Sequence, residues 1–119
     1  MVRWIEIGKT KEDALRRIQD YDLDIWKNFY AAMGRRKVEN DDYLGSLINS
    51  GLFLFGTVEE VRAELLKQWR VFPAEYITLI NHYAQTPAEV VIETLDTFQR
   101  EIKPALDEVI SNANRQAAE

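Results

Sequence analysis

Asn81, His82, Tyr83 and Gln85 follow directly on the largely apolar run Glu75-Tyr76-Ile77-Thr78-Leu79-Ile80, and all four side chains can donate or accept hydrogen bonds. His82 is the only histidine, so a multi-histidine metal site is excluded. A lone imidazole still titrates near neutral pH and can carry a proton in catalysis. The alternative is that His82 and Tyr83 simply hydrogen-bond at the rim of the fold. A second group, Arg35, Arg36 and Lys37, sets three fixed positive charges ahead of Glu39-Asn40-Asp41-Asp42. Such a cluster suits a phosphate or an acidic substrate. Its alternative is a solvated charge run paired with the acids that follow.

Composition narrows the classes of partner. The chain has 119 residues, 46% of them apolar, which fits a single globular domain or a piece of one. Its formal net charge of −5 argues against a nucleic-acid binder, which needs a surplus of lysine and arginine to neutralise phosphates. Without cysteine there is no disulfide framework, thiol nucleophile or cysteine-based metal site. No apolar run approaches the length of a membrane span and no secretory pattern opens the chain, so a cytoplasmic protein is expected.

The elements that would position these residues repeat one grammar. Val2–Ile7 alternates as a strand, and Gly8-Lys9 leads to Thr10, with Asp13 three residues on, as a capped helix start. Ala14, Leu15, Ile18 and Tyr21 form one apolar face, which restarts around Asp22 or Asp24 with Ile25, Trp26, Phe29 and Met33. A bend near Asp22 and a stop at Gly34 are therefore expected. Residues 35–50 form the one long connection, a candidate lid with a short amphipathic turn at Tyr43, Leu44, Leu47 and Ile48. Leu52–Phe55 then reads as a strand, Gly56 as a sharp turn, and Thr57 with Glu60 as a capping box that opens a helix over Val58–Trp69. Pro73 ends that helix, Glu75–Ile80 is the third strand, and Thr86-Pro87-Ala88-Glu89 supplies cap, N1 proline and box glutamate for the last helix. That helix carries the core stripe Val91, Leu95, Phe98, Ile102, Leu106 and Val109, a kink at Pro104 and a frayed polar tail over 112–119. Three strand–helix units with short junctions predict an α/β protein with a parallel sheet.

The order of motifs adds a resemblance. Leu54-Phe55-Gly56-Thr57-Val58-Glu59-Glu60-Val61, then Tyr76-Ile77-Thr78-Leu79, then Phe98 with Ile102, Pro104 and Leu106, resemble the C-terminal third of the bacterial luciferase-like, flavin-dependent monooxygenases. Arg3–Ala14 is similar to that family's sixth strand and following helix, and Val58 stands where the family usually has proline. The resemblance implies the last three units of a partial (β/α)8 TIM barrel, residues 1–119 being its C-terminal portion. It further implies FMN in reduced form, oxygen and a small organic substrate. His82 would then be catalytic, with Arg35, Arg36, Lys37, Asn81 and Tyr83 near the cofactor. A whole barrel of this type needs roughly 250 residues, so this chain alone is expected to bind FMN weakly or not at all. It should associate with itself or with the remainder of a barrel. The alternative is a truncated, catalytically silent assembly module.

Overall fold

The computed structural model describes residues 1–31, 33, 38, 41–81 and 85–119. Strand β1 (Val2–Ile7) leads into helix α1 (Lys11–Arg17), capped as expected by Thr10, whose Oγ1 accepts from Asp13 N at 3.1 Å. The anticipated bend is a change of helical pitch. A π-helical turn over Ile18–Asp22, three α-helical residues (α2, Leu23–Ile25) and a second π-helical stretch over Trp26–Ala31 continue the rod. Helix α3 (Tyr43–Ile48) precedes β2 (Phe53–Gly56), α4 (Val58–Val71) and β3 (Thr78–Ile80). The last rod consists of α5 (Ala88–Thr97), a π-helical turn over Phe98–Ile102, and α6 (Lys103–Ala118).

All strand pairs are parallel, as the repeated strand–helix grammar predicts, and the fold is α/β. The strand order is β2-β1-β3. Consecutive strands of a (β/α)8 barrel lie side by side in chain order, so three barrel units in a row would place β2 in the middle. Here β1 is central, with Trp4 opposite Phe53 in β2 and opposite Ile80 in β3. The sheet therefore does not have the order that the barrel expectation requires. Right-handed crossovers leaving β1 toward one side and returning past it toward the other must cover opposite faces. The two cores match that geometry. Ile5, Ile7 and Leu54 pack with Val61, Leu65 and Trp69 of α4 and with Ile102 and Leu106, while Trp4, Phe53 and Phe55 pack with Ile18, Trp26 and Leu47.

Three local expectations change for identifiable reasons. Only Thr78–Ile80 of the third apolar run is strand, because β1 begins at Val2, opposite Thr78, and offers no backbone to Glu75–Ile77. Tyr76 is exposed, and its carbonyl instead accepts from the N-terminal amine of Met1 at 2.8 Å. The cap at Thr86 and box at Glu89 do not form: Pro87 is itself the N-cap residue, its carbonyl receives the amides of Val90 and Val91, and no side chain caps the helix. In the last rod Ile102 and Leu106 are buried but Leu95 is 51% exposed. The intervening π-helical turn holds more residues per turn than an α-helix and shifts the apolar stripe off the core face upstream. The helix then continues to Ala118, beyond the Ser111 stop expected from sequence.

The Gly56 junction forms as the motif requires. Thr57 N donates to Glu60 Oε2 at 2.9 Å and Glu60 N donates to Thr57 Oγ1 at 3.3 Å, so the capping box is complete. Gly56 has φ of +136°, and a Cβ there would strike the Glu60 carboxylate. Glycine both permits the turn and leaves room for the box.

Candidate functional site

In an open parallel sheet, ligands bind beyond the carboxyl ends of the strands, where the order reverses. That point lies between β1 and β3, whose following helices diverge to opposite sides. The residues there are polar. Glu6, one position before the end of β1, is 3% exposed, and Asp22, at the end of the first π-helical turn, is 4% exposed. The two carboxyl groups are hydrogen-bonded to each other. Burial, then the Glu6 charge, then this hydrogen bond push Asp22 up from 3.8 to about 9. Burial also raises Glu6, against the hydrogen bond from Asp22 and the Arg17 guanidinium, both of which favour its charged form. At neutral pH the pair thus holds a proton that Asp22 donates toward the Glu6 carboxylate. Asp22 Oδ2 is buried, and no N–H or hydroxyl among the described residues donates to it.

Arg17 ties this pair to its surroundings. Its Nη1 donates to Ile7 O at 2.5 Å, closing the end of β1, and its Nη2 lies 3.7 Å from Glu93 Oε2 on α5. On the outer side, Arg17 also lines an open cleft of about 400 Å³ with Lys9, Asp13, Arg16, Asp20 and Tyr21. The loop after β3 is fastened to the same region: Asn81 Nδ2 donates to Val91 O at 3.5 Å and Gln85 Nε2 to Asp24 Oδ2 at 3.2 Å. The arrangement can hold and exchange a proton beside a fixed cation. Leaving two carboxyl groups almost wholly buried costs several kcal/mol unless hydrogen bonds and charge offset it, and such groups concentrate at functional sites.

Of the residues expected to act, Asn81 lies at this end of the sheet, directed to the α5 backbone. His82, Tyr83, Arg35, Arg36 and Lys37 lie outside the described residues. Glu6, Asp22 and Arg17 were not singled out from sequence. Glu6 looked like the solvent-facing half of an alternating strand, and Asp22 like a hinge residue. The usable signal was that a parallel sheet flanked by helices buries both faces, which makes an acid inside β1 conspicuous. Among the described residues no group of three or more histidine, cysteine, aspartate or glutamate side chains could hold a metal ion. No helix among them is long and apolar enough to cross a membrane. No protein-family model matches the chain, and no curated protein matches it.

Proposed function

We propose that the chain works as part of a larger flavin-dependent oxidoreductase of the luciferase-like kind, presenting its sheet to a partner surface. The observation that carries the partner requirement is that, among the described residues, no strand pairs with either outer edge of the three-stranded parallel sheet. Parallel sheets are stable where both faces and edges are covered. The extra surface agrees. The chain exposes 7658 Å², whereas a compact monomer of its mass exposes about 6,700 Å². Its radius of gyration is 15.5 Å, against about 13.5 Å for a compact domain of this length. The flavin chemistry rests on the resemblance alone, the Thr57–Glu60 box being a helix start that many strand–helix units share; the strand order weighs against a barrel in the usual sequence of units. FMN, molecular oxygen and an organic substrate in the cytoplasm belong to this proposal. Arg35, Arg36, Lys37, Asn81 and Tyr83 would face the cofactor and His82 would carry the proton.

A second reading is favoured by the Glu6–Asp22 pair: the carboxyl end of β1 is a proton-exchanging site for a small polar ligand beside Arg17. FMN titration, followed by flavin fluorescence, separates the two. The flavin reading expects weak or no binding by dilute chain and saturable binding in its associated form. Absence of binding in both forms overturns it and leaves the acid-pair reading. In that case Glu6→Gln and Asp22→Asn should alter ligand-dependent proton uptake.

A further inference from the structure

The outer edge of β2 is the more complete of the two open edges. Trp4 N donates to Leu52 O at 3.0 Å and Gly8 N to Gly56 O at 2.9 Å. By strand alternation, the amides and carbonyls of Phe53 and Phe55 therefore point away from β1. An uncovered cleft of about 430 Å³ follows this edge, bounded by Ile48, Phe53 and Phe55 on one flank and by Glu60, Ala63 and Lys67 of α4 on the other. We propose that this edge binds a second copy of the chain, β2 pairing antiparallel with its own symmetry mate about a twofold axis through Leu54. The inference rests on the edge-presenting reading above and names its partner.

Two features make the edge self-complementary. Phe53 and Phe55 are two residues apart, so in a twofold pairing each faces the other residue of the partner. Both are hydrogen-bonded pairs, giving four new ladder bonds across the axis. Glu60 and Lys67 are two helical turns apart on the exposed flank of α4, with Ala63 between them. A twofold axis normal to the sheet keeps α4 on the same face as its mate and runs the two helices antiparallel. Each Glu60 then meets the partner's Lys67, and the small Ala63 lets the helices approach. Within the chain, Lys67 sits 3.5 Å from Glu64 and Glu60 caps α4 through one oxygen, which leaves its other oxygen for the contact.

Sedimentation across micromolar concentrations gives the assembly state. Because the chain has no cysteine, Ala63→Cys supplies a single reporter, and Ser111→Cys on α6 is a control away from the edge. The expected result is a dimer, disulfide formation by Ala63→Cys at concentrations where Ser111→Cys gives none, and dissociation of the Lys67→Glu dimer at about tenfold lower dilution. Circular dichroism melts confirm that these exposed substitutions leave the fold intact. Association without Ala63→Cys cross-linking, or unaffected by Lys67→Glu, overturns the β2 edge as the interface while the partner reading stands. A monomer throughout the range overturns self-pairing at this edge and leaves a different chain as the only partner that the reading above can have.

Discussion

Replacing Asp22 by asparagine tests whether the buried acid pair holds a proton in the folded protein. The side chain keeps its shape, and its amide can donate to the Glu6 carboxylate as the protonated Asp22 does. In the unfolded chain Asp22 titrates near 3.8, and in the folded protein near 9. A raised folded value means that the folded state keeps a proton that the unfolded state releases. The stability from this proton is fully present below the unfolded pKa and is lost as pH rises through the folded one. One retained proton gives a loss of about 1.4 kcal/mol per pH unit over that window. By pH 7 the accumulated penalty on wild-type folding is about 4 kcal/mol. Asparagine carries none of it, and an imperfect hydrogen bond to Glu6 costs about 1 kcal/mol.

The expected result is therefore counter to the usual effect of removing a buried polar group. Asp22→Asn should be more stable than wild type by about 2 to 3 kcal/mol at pH 7, with the gap widening toward pH 8 and closing toward pH 5. Urea unfolding followed by tryptophan fluorescence reads this, since Trp26 packs in the same core as the π-helical turn. Taking the difference between wild type and variant at each pH cancels groups common to both, such as His82. A difference that stays constant from pH 5 to pH 8, or a variant less stable than wild type at pH 8, would refute the shared proton.

The Gly56 junction gives two graded expectations, both read by thermal melts. Thr57→Ala removes the acceptor for Glu60 N while the Glu60 carboxylate can still reach the backbone amide at position 57; the loss should be about 1 kcal/mol, or about 4 °C. Gly56→Ala forces a side chain onto a φ of +136° and into the Glu60 carboxylate, so it loses both the box and an unstrained turn. Its cost should be larger, about 2 to 4 kcal/mol. Equal melts for the two variants would mean that the turn relaxes elsewhere.

What was legible in the sequence is what short-range chemistry encodes. The cap at Thr10, the Gly56 turn with the Thr57–Glu60 box, and the helix that Pro73 follows are local, so each is present within a residue or two of its expected place. The misses arise where a distant partner decides. Thr86-Pro87-Ala88-Glu89 contains every residue of a capped start, yet Pro87 takes the cap position and Thr86 is buried. Glu75–Ile77 has strand composition but meets only the terminal amine of Met1, which bonds the Tyr76 carbonyl, so no ladder extends along it. Asp22 becomes the centre of a site only because a π-helical turn carries it over the face of β1, opposite Glu6, sixteen positions earlier in the chain.

Strand order was hidden for a more general reason. A barrel strand buries one face in the barrel interior and the other beneath helices; a strand at the centre of a doubly covered open sheet also buries both faces. Trp4 and Glu6 on one side and Ile5 and Ile7 on the other satisfy either arrangement, and the junction after β2 is equally compatible with a crossover to a neighbouring strand or past one. The difference lies in the edges. A closed barrel has none, whereas the order β2-β1-β3 leaves the backbone of Phe53 and Phe55 unpaired on one side and that of Leu79 on the other. The same edges that separate this sheet from a barrel are the ones that the proposed assembly would pair, and pairing β2 would bring the α4 flank and the Gly56 junction into the interface.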